Sequence, residues 1–183
     1  APATLPWSGS GGDCGTPGNG PTGGGTPTPA PTGTPGATPI PGNGWAPLQS
    51  APALVIDEVN YRGGDGEYVV LRNRSASAVS LAGWLLGDAG QPGGGEALFA
   101  LPEEIALEAG ALFVVARKGA AFVAAYGRAP AVELEETDAA IPNLVRRRDL
   151  AGGSWALADG GDEVVLVTPS GELADAVVIN NGG

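Results

Sequence analysis

From residue 53 onward, short apolar runs alternate with clusters of glycine, proline and polar residues. The run 79–81 alternates apolar and polar side chains at the two-residue period of a strand. The run 112–116 is continuously apolar, as in strands that are buried on both faces. The pattern predicts eight or nine short strands, which lie within 54–61, 67–73, 79–81, 83–88, 97–101, 105–107, 112–116, 163–167 and 173–179.

One segment has the alanine content and apolar spacing of a helix rather than of a strand. It covers residues 120–126, and Gly127 ends it after about two turns. Residues 131–153 show little periodicity, with acids near their start and arginines near their end, so we interpret them as an elaborated surface loop. Many short strands with one small helix predict an all-β protein built as a β-sandwich.

Residues 1–52 differ in composition from the rest of the chain. They hold 13 of the 32 glycines and 12 of the 17 prolines, and their one charged side chain is Asp13. Such a segment has too little apolar area to offset an ordering cost of roughly 1–2 kcal/mol per residue. Proline and threonine recur with glycine after residue 20, as in extended spacers and in the O-glycosylated stalks of exported proteins. We therefore predict a Pro/Gly/Thr-rich extended linker over 21–52, followed by a domain over 53–183.

Residues 1–20 contain Trp7 and Cys14, which a plain spacer does not need. An indole is costly to leave in water, so we expect a packed environment for Trp7. Cys14 follows an acid and has no basic neighbour that would stabilise a thiolate, so a nucleophilic role is disfavoured. It is either a solvent-facing or lightly packed thiol, or one half of an intermolecular disulfide.

The residue counts exclude several classes of site. The chain has no histidine, so the commonest general base and the commonest metal ligand are both missing. Its single cysteine excludes an intrachain disulfide framework and a zinc site built on several cysteines. No apolar run approaches the roughly 18 residues that span a bilayer, and no charged-then-apolar signal segment opens the chain. We therefore expect no catalytic, cofactor-binding or metal-binding residues in this chain, and the missing initiating Met suggests a processed chain or a fragment.

Five motifs follow one another in the order of a known family. They are V-I-D-E-V at 55–59, E-Y-V-V-L-R-N at 67–73, V-S-L-A-G-W at 79–84, L-E-A-G at 107–110, and a fifth, two-part motif at 157–166 and 171–177. Each motif alone is weak, but the ordered set resembles the lamin tail domain. This immunoglobulin-like module of nuclear lamins also occurs in exported bacterial proteins. The resemblance covers residues 54–179 and implies an immunoglobulin-like β-sandwich.

Three features depart from or extend that resemblance. Val70 stands where the family's strand has a second Glu, and residues 131–153 are longer than the family needs. Residues 7–19 resemble the exit sequence of bacterial members, so residues 1–20 are either the end of a preceding repeat in a tandem array or a chance match. The chain stops at residue 183, before the family's own exit Trp, which suggests a truncated C-terminus.

Acidic residues form two groups that deserve comparison with metal sites. Asp57, Glu58, Asp65 and Glu67 flank one hairpin and carry oxygen ligands of the kind that Ca²⁺ takes, but their spacing does not fit the EF-hand loop. The competing and favoured interpretation is a solvated acidic edge that discourages edge-to-edge strand pairing. Asp159 and Asp162 could be metal ligands or a paired acid and base, but the favoured interpretation is a D-G-G-D turn, where Asp bonds its own backbone and Gly supplies a positive φ.

Other candidates have a structural interpretation beside the functional one. Arg146, Arg147 and Arg148 form a basic cluster, which pairs with Asp149 and the acids of 133–138, is simply solvated, or binds an anion. DNA binding requires the neutralisation of many phosphates, and the chain carries a net charge of −11, so nucleic acid is disfavoured as a partner. Two tryptophans, Trp84 and Trp155, are expected in the core before they are considered as ligand-stacking groups. A further motif, N-R-S at 73–75, fits the N-glycosylation pattern.

The leading hypothesis is a non-catalytic, exported interaction or structural module within a larger bacterial cell-surface or secreted assembly. Its expected partners are other protein subunits or neighbouring repeats of the same protein. The alternative is an accessory domain of a secreted nuclease-like or phospholipase-like hydrolase whose catalytic part lies outside these residues. The sequence leaves the partner and the oligomeric state open.

Overall fold

A computed structural model describes residues 44–158 and 161–179 of the chain. Within these residues it contains twelve strands, one α-helix and a short 3-10 turn, and no helix there is long and apolar enough to cross a membrane. The sequence-based predictions for residues 1–20, including those for Trp7 and Cys14, lie outside the described residues, as does most of the predicted linker.

Most of the strands form two sheets that pack face to face. The larger has the order β1-β12-β11-β5-β6-β10, and the smaller has the order β2-β3-β8-β9, with β4 and β7 forming a separate pair. The strands are β1 (Ala46–Pro47), β2 (Leu54–Asn60), β3 (Tyr68–Asn73), β4 (Val79–Ser80), β5 (Leu85–Gly87), β6 (Leu98–Ala100), β7 (Ala106–Leu107), β8 (Leu112–Lys118), β9 (Val132–Glu135), β10 (Val145–Arg146), β11 (Asp162–Val167) and β12 (Glu172–Ile179). The predicted sandwich is thereby confirmed.

The main core lies between the inner faces of the two sheets. On β3, Val69 and Leu71 point into this core, whereas Tyr68 and Arg72 lie on the opposite face and are only partly buried, as the two-residue period predicts. Trp84 and Trp155 are both buried in the same cluster. Their expected place in the core is therefore confirmed.

Helix α1 (Gly119–Tyr126) connects β8 to β9, and these two strands are parallel. It ends at Gly127, whose φ of 66° is left-handed and accessible to glycine without strain. The helix covers the outer face of the smaller sheet, where Tyr68 packs edge-to-face against Phe122 and Tyr126 with ring centroids 5.4 and 5.5 Å away. The predicted helix is confirmed to within one residue.

The interpretation of residues 131–153 as an elaborated surface loop was wrong. The segment provides β9, which adds to β8 in parallel, and β10, which pairs with β6 at the edge of the larger sheet. Both strands are too short to show a clear period. In β9, an acid occupies a fully buried position where an apolar residue is expected, so the sequence pattern hid the strand.

A second apolar cluster covers the outer face of the larger sheet. Leu85, Leu98, Val165 and Val167 project from the sheet, and Trp45 packs on them while its Nε1 donates to the carbonyl of Ala89 at 2.9 Å. Trp45 precedes β1, which pairs in parallel with the start of β12. The folded part of the chain therefore begins by residue 44, inside the segment predicted as linker, because an indole there closes an otherwise exposed apolar sheet face.

Candidate interaction surfaces

Glu67 is a buried carboxylate at the point where the chain enters β3. One oxygen accepts from Arg117 Nη1 at 3.2 Å, and the other accepts from Trp155 Nε1 at 2.9 Å and from the main-chain N–H of Leu157 at 3.4 Å. Burial raises its pKa, and the charge of Arg117 with these hydrogen bonds only partly offsets that rise. The prediction that Glu67 belongs to a solvated acidic edge was therefore wrong: its side chain joins β3, β8 and the segment before β11.

The other three acids of that predicted edge each take a partner of their own. Asp57 accepts from Nε and Nη2 of Arg72 at 2.6 and 2.8 Å, and this hydrogen-bonded guanidinium lowers its pKa. Glu58 accepts from the Tyr68 hydroxyl at 2.5 Å. Asp65 lies 2.6 Å from Lys118 Nζ, which lowers the pKa of that carboxyl. These carboxylates do not converge, and residues 44–158 and 161–179 hold no group of three or more His, Cys, Asp or Glu that could bind a metal ion.

Glu133 is the most heavily hydrogen-bonded carboxylate among the described residues. It lies fully buried in β9 and accepts from the N–H of Gly119 at 2.6 Å, of Thr137 at 2.9 Å and of Asp138 at 3.0 Å, and from the Thr137 hydroxyl. Burial by itself would raise its pKa, but these donors outweigh burial and the pKa is lowered. Glu133 thus ties the start of α1 to the loop after β9.

Asp88 has a similar structural role at the end of β5. Its two oxygens accept from the main-chain N–H of Ala97 at 2.7 Å and of Ala156 at 3.0 Å. Burial raises its pKa, and the two hydrogen bonds offset only part of that rise. Neither the role of Asp88 nor the buried position of Glu133 is predicted by the sequence pattern. In the sequence, each is an acid directly beside apolar residues, and exposed acids often stand in the same position.

The predicted turn at 159–162 is described only in part, because Asp159 lies outside the described residues. Asp162 accepts from the main-chain N–H of Ala158 at 2.7 Å and of Glu163 at 2.9 Å. Gly161 has a φ of 130°. These contacts confirm the turn role of Asp162, whose two carboxylate oxygens each face a main-chain donor.

The N-glycosylation motif begins at an asparagine that is fully buried. Its Nδ2 donates to the carbonyls of Ser77 and Leu107, both at 2.7 Å, and its Oδ1 accepts from the N–H and hydroxyl of Ser75 at 2.8 Å. Both amide hydrogens of Asn73 are therefore in use inside the fold. The motif is a buried structural turn in the folded chain rather than a surface acceptor.

The three arginines of the basic cluster have different surroundings. Arg147 pairs with Asp149 through two hydrogen bonds at 2.9 and 2.7 Å, so internal pairing is confirmed for this one. Arg146 and Arg148 have no carboxylate within 4.0 Å in the part of the chain that the structure describes. Arg146 Nη2 reaches only the carbonyl of Gly152 at 3.5 Å, and its buried Nε has no acceptor among the described residues.

These two arginines line a surface groove beside β10, which we call the β10 groove. Its volume is about 400 Å³. Apolar side chains form much of the lining, and Glu135 is bound to Arg117 at 2.8 Å, so part of the acidic charge in the groove is already paired. The lining residues are Phe99, Leu134, Glu135, Glu136, Asn143, Leu144, Arg146, Arg148, Ser154 and Trp155.

A second groove lies between the edges of β2 and β12, and we call it the β12 groove. It has a volume of about 340 Å³ and is lined by Asp57, Glu58, Val59, Tyr61, Val177, Val178 and Ile179. The main-chain N–H of Ile56 on β2 donates to the Asp175 carboxylate of β12 at 2.9 Å, which ties the two sheets together next to the groove. Both grooves thus lie at sheet edges and combine apolar with charged side chains.

A family model described as the Lamin Tail Domain matches residues 47–181. The matched range includes every strand from β2 to β12 and the helix α1. A search of curated proteins gives no match for the chain.

Proposed function

Because the chain belongs to the lamin tail domain family, we propose that it is a non-catalytic interaction or structural module of a larger exported protein. Lamin tail domains are immunoglobulin-like and non-catalytic. The proposal adds a bacterial cell-surface or secreted location and partners that are other subunits or neighbouring repeats. The Pro/Gly/Thr-rich composition of residues 21–52 supports an exported tether.

The main support for the proposal is that the buried carboxylates are hydrogen-bonded to groups of the fold itself. Glu67, Asp88 and Glu133 all accept hydrogen bonds from main-chain or tryptophan donors that the fold itself provides. A general acid or base must instead be able to reach a substrate proton. The polar interior therefore supports the sandwich, and the β10 and β12 grooves remain as surfaces for a partner.

The catalytic part of the proposal is tested by assaying the chain against a phosphodiester and a carboxylic ester. We expect no turnover above the uncatalysed rate, whereas saturable hydrolysis that copurifies with the chain would contradict a non-catalytic role. Cell fractionation of the natural host, with protease added to intact cells, tests the location. Protection of the domain until the cells are lysed would contradict surface exposure or secretion.

The open reading frame that encodes this chain separates the proposal from its alternative. Further lamin tail domains beside this one favour a structural array. A catalytic domain in the same frame favours the role of accessory domain to a secreted hydrolase. A titration with duplex DNA at low salt tests nucleic acid, for which the net charge of −11 predicts no tight binding.

A further inference from the structure

The larger sheet has an open edge at each end. At one end, β10 pairs only with β6 among the described strands. At the other end, β1 covers only the start of β12, opposite Glu172 and Leu173. Residues 174–179 of β12 therefore have no strand beside them on that side in the described part of the chain. Such edges carry free main-chain donors and acceptors that can pair with a further strand.

Both open edges expose a valine. Val178 on β12 is 73% exposed and Val145 on β10 is 68% exposed, and these are the two most exposed large apolar side chains among the described residues. The register places both on the same face of the sheet. Val178 pairs with Glu163, which lies two residues before the outward-facing Val165, so Val178 also faces outward. Val145 pairs with Ala100, which also pairs with the outward-facing Leu85, so Val145 lies on the same outer face.

The direction of the strands makes the two edges compatible. β12, β11, β5, β6 and β10 are related by four successive antiparallel pairings, so β10 and β12 run in the same direction. If a second copy stands beside the first in the same orientation, its β10 meets β12 in parallel. β1 already pairs with β12 in that direction, so the neighbouring strand would continue an existing parallel ladder.

The charges at the two edges are of opposite sign. In the β10 groove, Arg146 and Arg148 have no carboxylate partner among the described residues and outnumber Glu136, while Glu135 is bound to Arg117. In the β12 groove, Glu58 lies near Val178 and is bonded only to a tyrosine hydroxyl. A second copy brings an apolar and basic edge to an apolar and acidic one, a pairing that favours this orientation over like edges meeting.

We propose that a second copy of this domain docks its β10 edge on the free edge of β12, so that the larger sheet continues from one copy to the next. The inference rests on the proposed role as a structural module. Because the two contacting surfaces differ, the contact leaves one open edge at each end of any dimer, and further copies can add to it. The partner surface is thus supplied by the domain itself, either by separate chains or by repeats within one chain.

Sedimentation velocity over a concentration series tests the proposal with the 183-residue chain. We expect the average mass to rise continuously with concentration. Val145→Asn and Val178→Asn should each raise the dissociation constant by about tenfold or more, because each replaces an apolar contact with a polar side chain that fits a strand poorly. Leu112→Asn is the matched control: Leu112 is 50% exposed on β8, in the other sheet, and this variant should associate like the unsubstituted chain.

Mixing the two valine variants is the decisive measurement. Each variant retains one intact edge, so an equimolar mixture should form a dimer and stop there. A chain that stays monomeric up to about 1 mM overturns the inference. Association that both variants retain also overturns the inference. A mixture that remains monomeric, although each variant alone has lost association, overturns it as well. None of these outcomes bears on the fractionation and hydrolysis assays, which test the proposed function separately.

Discussion

Replacing Glu133 with glutamine should destabilise the domain more than any change of equal size at its surface. The two carboxylate oxygens each face two donors: Oε2 faces the N–H of Gly119 and the Thr137 hydroxyl, and Oε1 faces the N–H groups of Thr137 and Asp138. The glutamine NH₂ group must replace one oxygen. The Thr137 hydroxyl can rotate to accept from it, but a main-chain N–H cannot. At least one buried N–H therefore loses its acceptor in either orientation.

The expected cost follows from that geometry. A buried donor left without a partner costs about 1–3 kcal/mol, and hydrogen bonds to a charged acceptor are stronger than those to a neutral one by about 1 kcal/mol. Glu133→Gln should therefore lower the free energy of unfolding by about 2–4 kcal/mol at pH 7. Urea unfolding followed by tryptophan fluorescence measures this, because Trp84 and Trp155 are buried in the core.

The control is Glu136→Gln, which makes the same chemical change at an exposed position three residues along the chain. It should alter the stability by no more than about 0.5 kcal/mol. If Glu133→Gln is as stable as this control at pH 7, the four hydrogen bonds do not stabilise the fold and the reasoning fails.

The same comparison has a defined pH dependence. The folded-state pKa of Glu133 is lowered, whereas an unfolded glutamate titrates near about 4.3. The stabilisation is therefore fully present above the unfolded pKa and is lost as the pH falls through the folded one. The difference in stability between the parent chain and Glu133→Gln should be constant between about pH 6 and 7 and should shrink below about pH 4. A difference that grows on acidification would contradict this sign.

Three further predictions concern other buried positions. A Cβ at Gly119 would come within 2.7 Å of a carboxylate oxygen, so Gly119→Ala should lower the free energy of unfolding in urea by about 1–3 kcal/mol. The control Gly152→Ala enters open space and should leave the stability unchanged, and equal stabilities of the two variants would contradict the clash. Asn73→Asp directs a carboxylate at two carbonyls and should cost about 2–4 kcal/mol, and intact-mass measurement of the protein isolated from its natural host should find no glycan on Asn73. In a carboxyl NMR titration, Asp88 should titrate above the ordinary value and Asp57 below it, and the reverse order would be inconsistent with their burial and pairing.

Short apolar or alternating runs bounded by turn residues located most strands, because both signals are local in the sequence. The β3 segment shows this well: Val69 and Leu71 enter the core, and their neighbours face outward. The helix after β8 was equally visible, because alanine-rich spacing and a terminating glycine are local signals. Local chemistry also placed Trp84 and Trp155 in the core, because the burial of an indole depends little on which partners surround it.

The wrong predictions share one physical cause. Glu67 and Glu133 are acids, so their sequence predicts exposure, yet donors from distant parts of the chain allow both to be buried. Trp155 lies 88 positions from Glu67, and Gly119 lies 14 positions from Glu133. Trp45 likewise belongs to the fold only because a sheet made of much later residues presents an apolar face to it.

The sequence by itself thus determined the sandwich class, the family and the absence of histidine-based chemistry, because these depend on composition and on patterns within single strands. The tertiary structure decided which acids are buried, where the folded part begins and which edges of the larger sheet stay open. Those properties depend on pairings between residues far apart in the chain, and they leave an exposed valine at each end of the larger sheet.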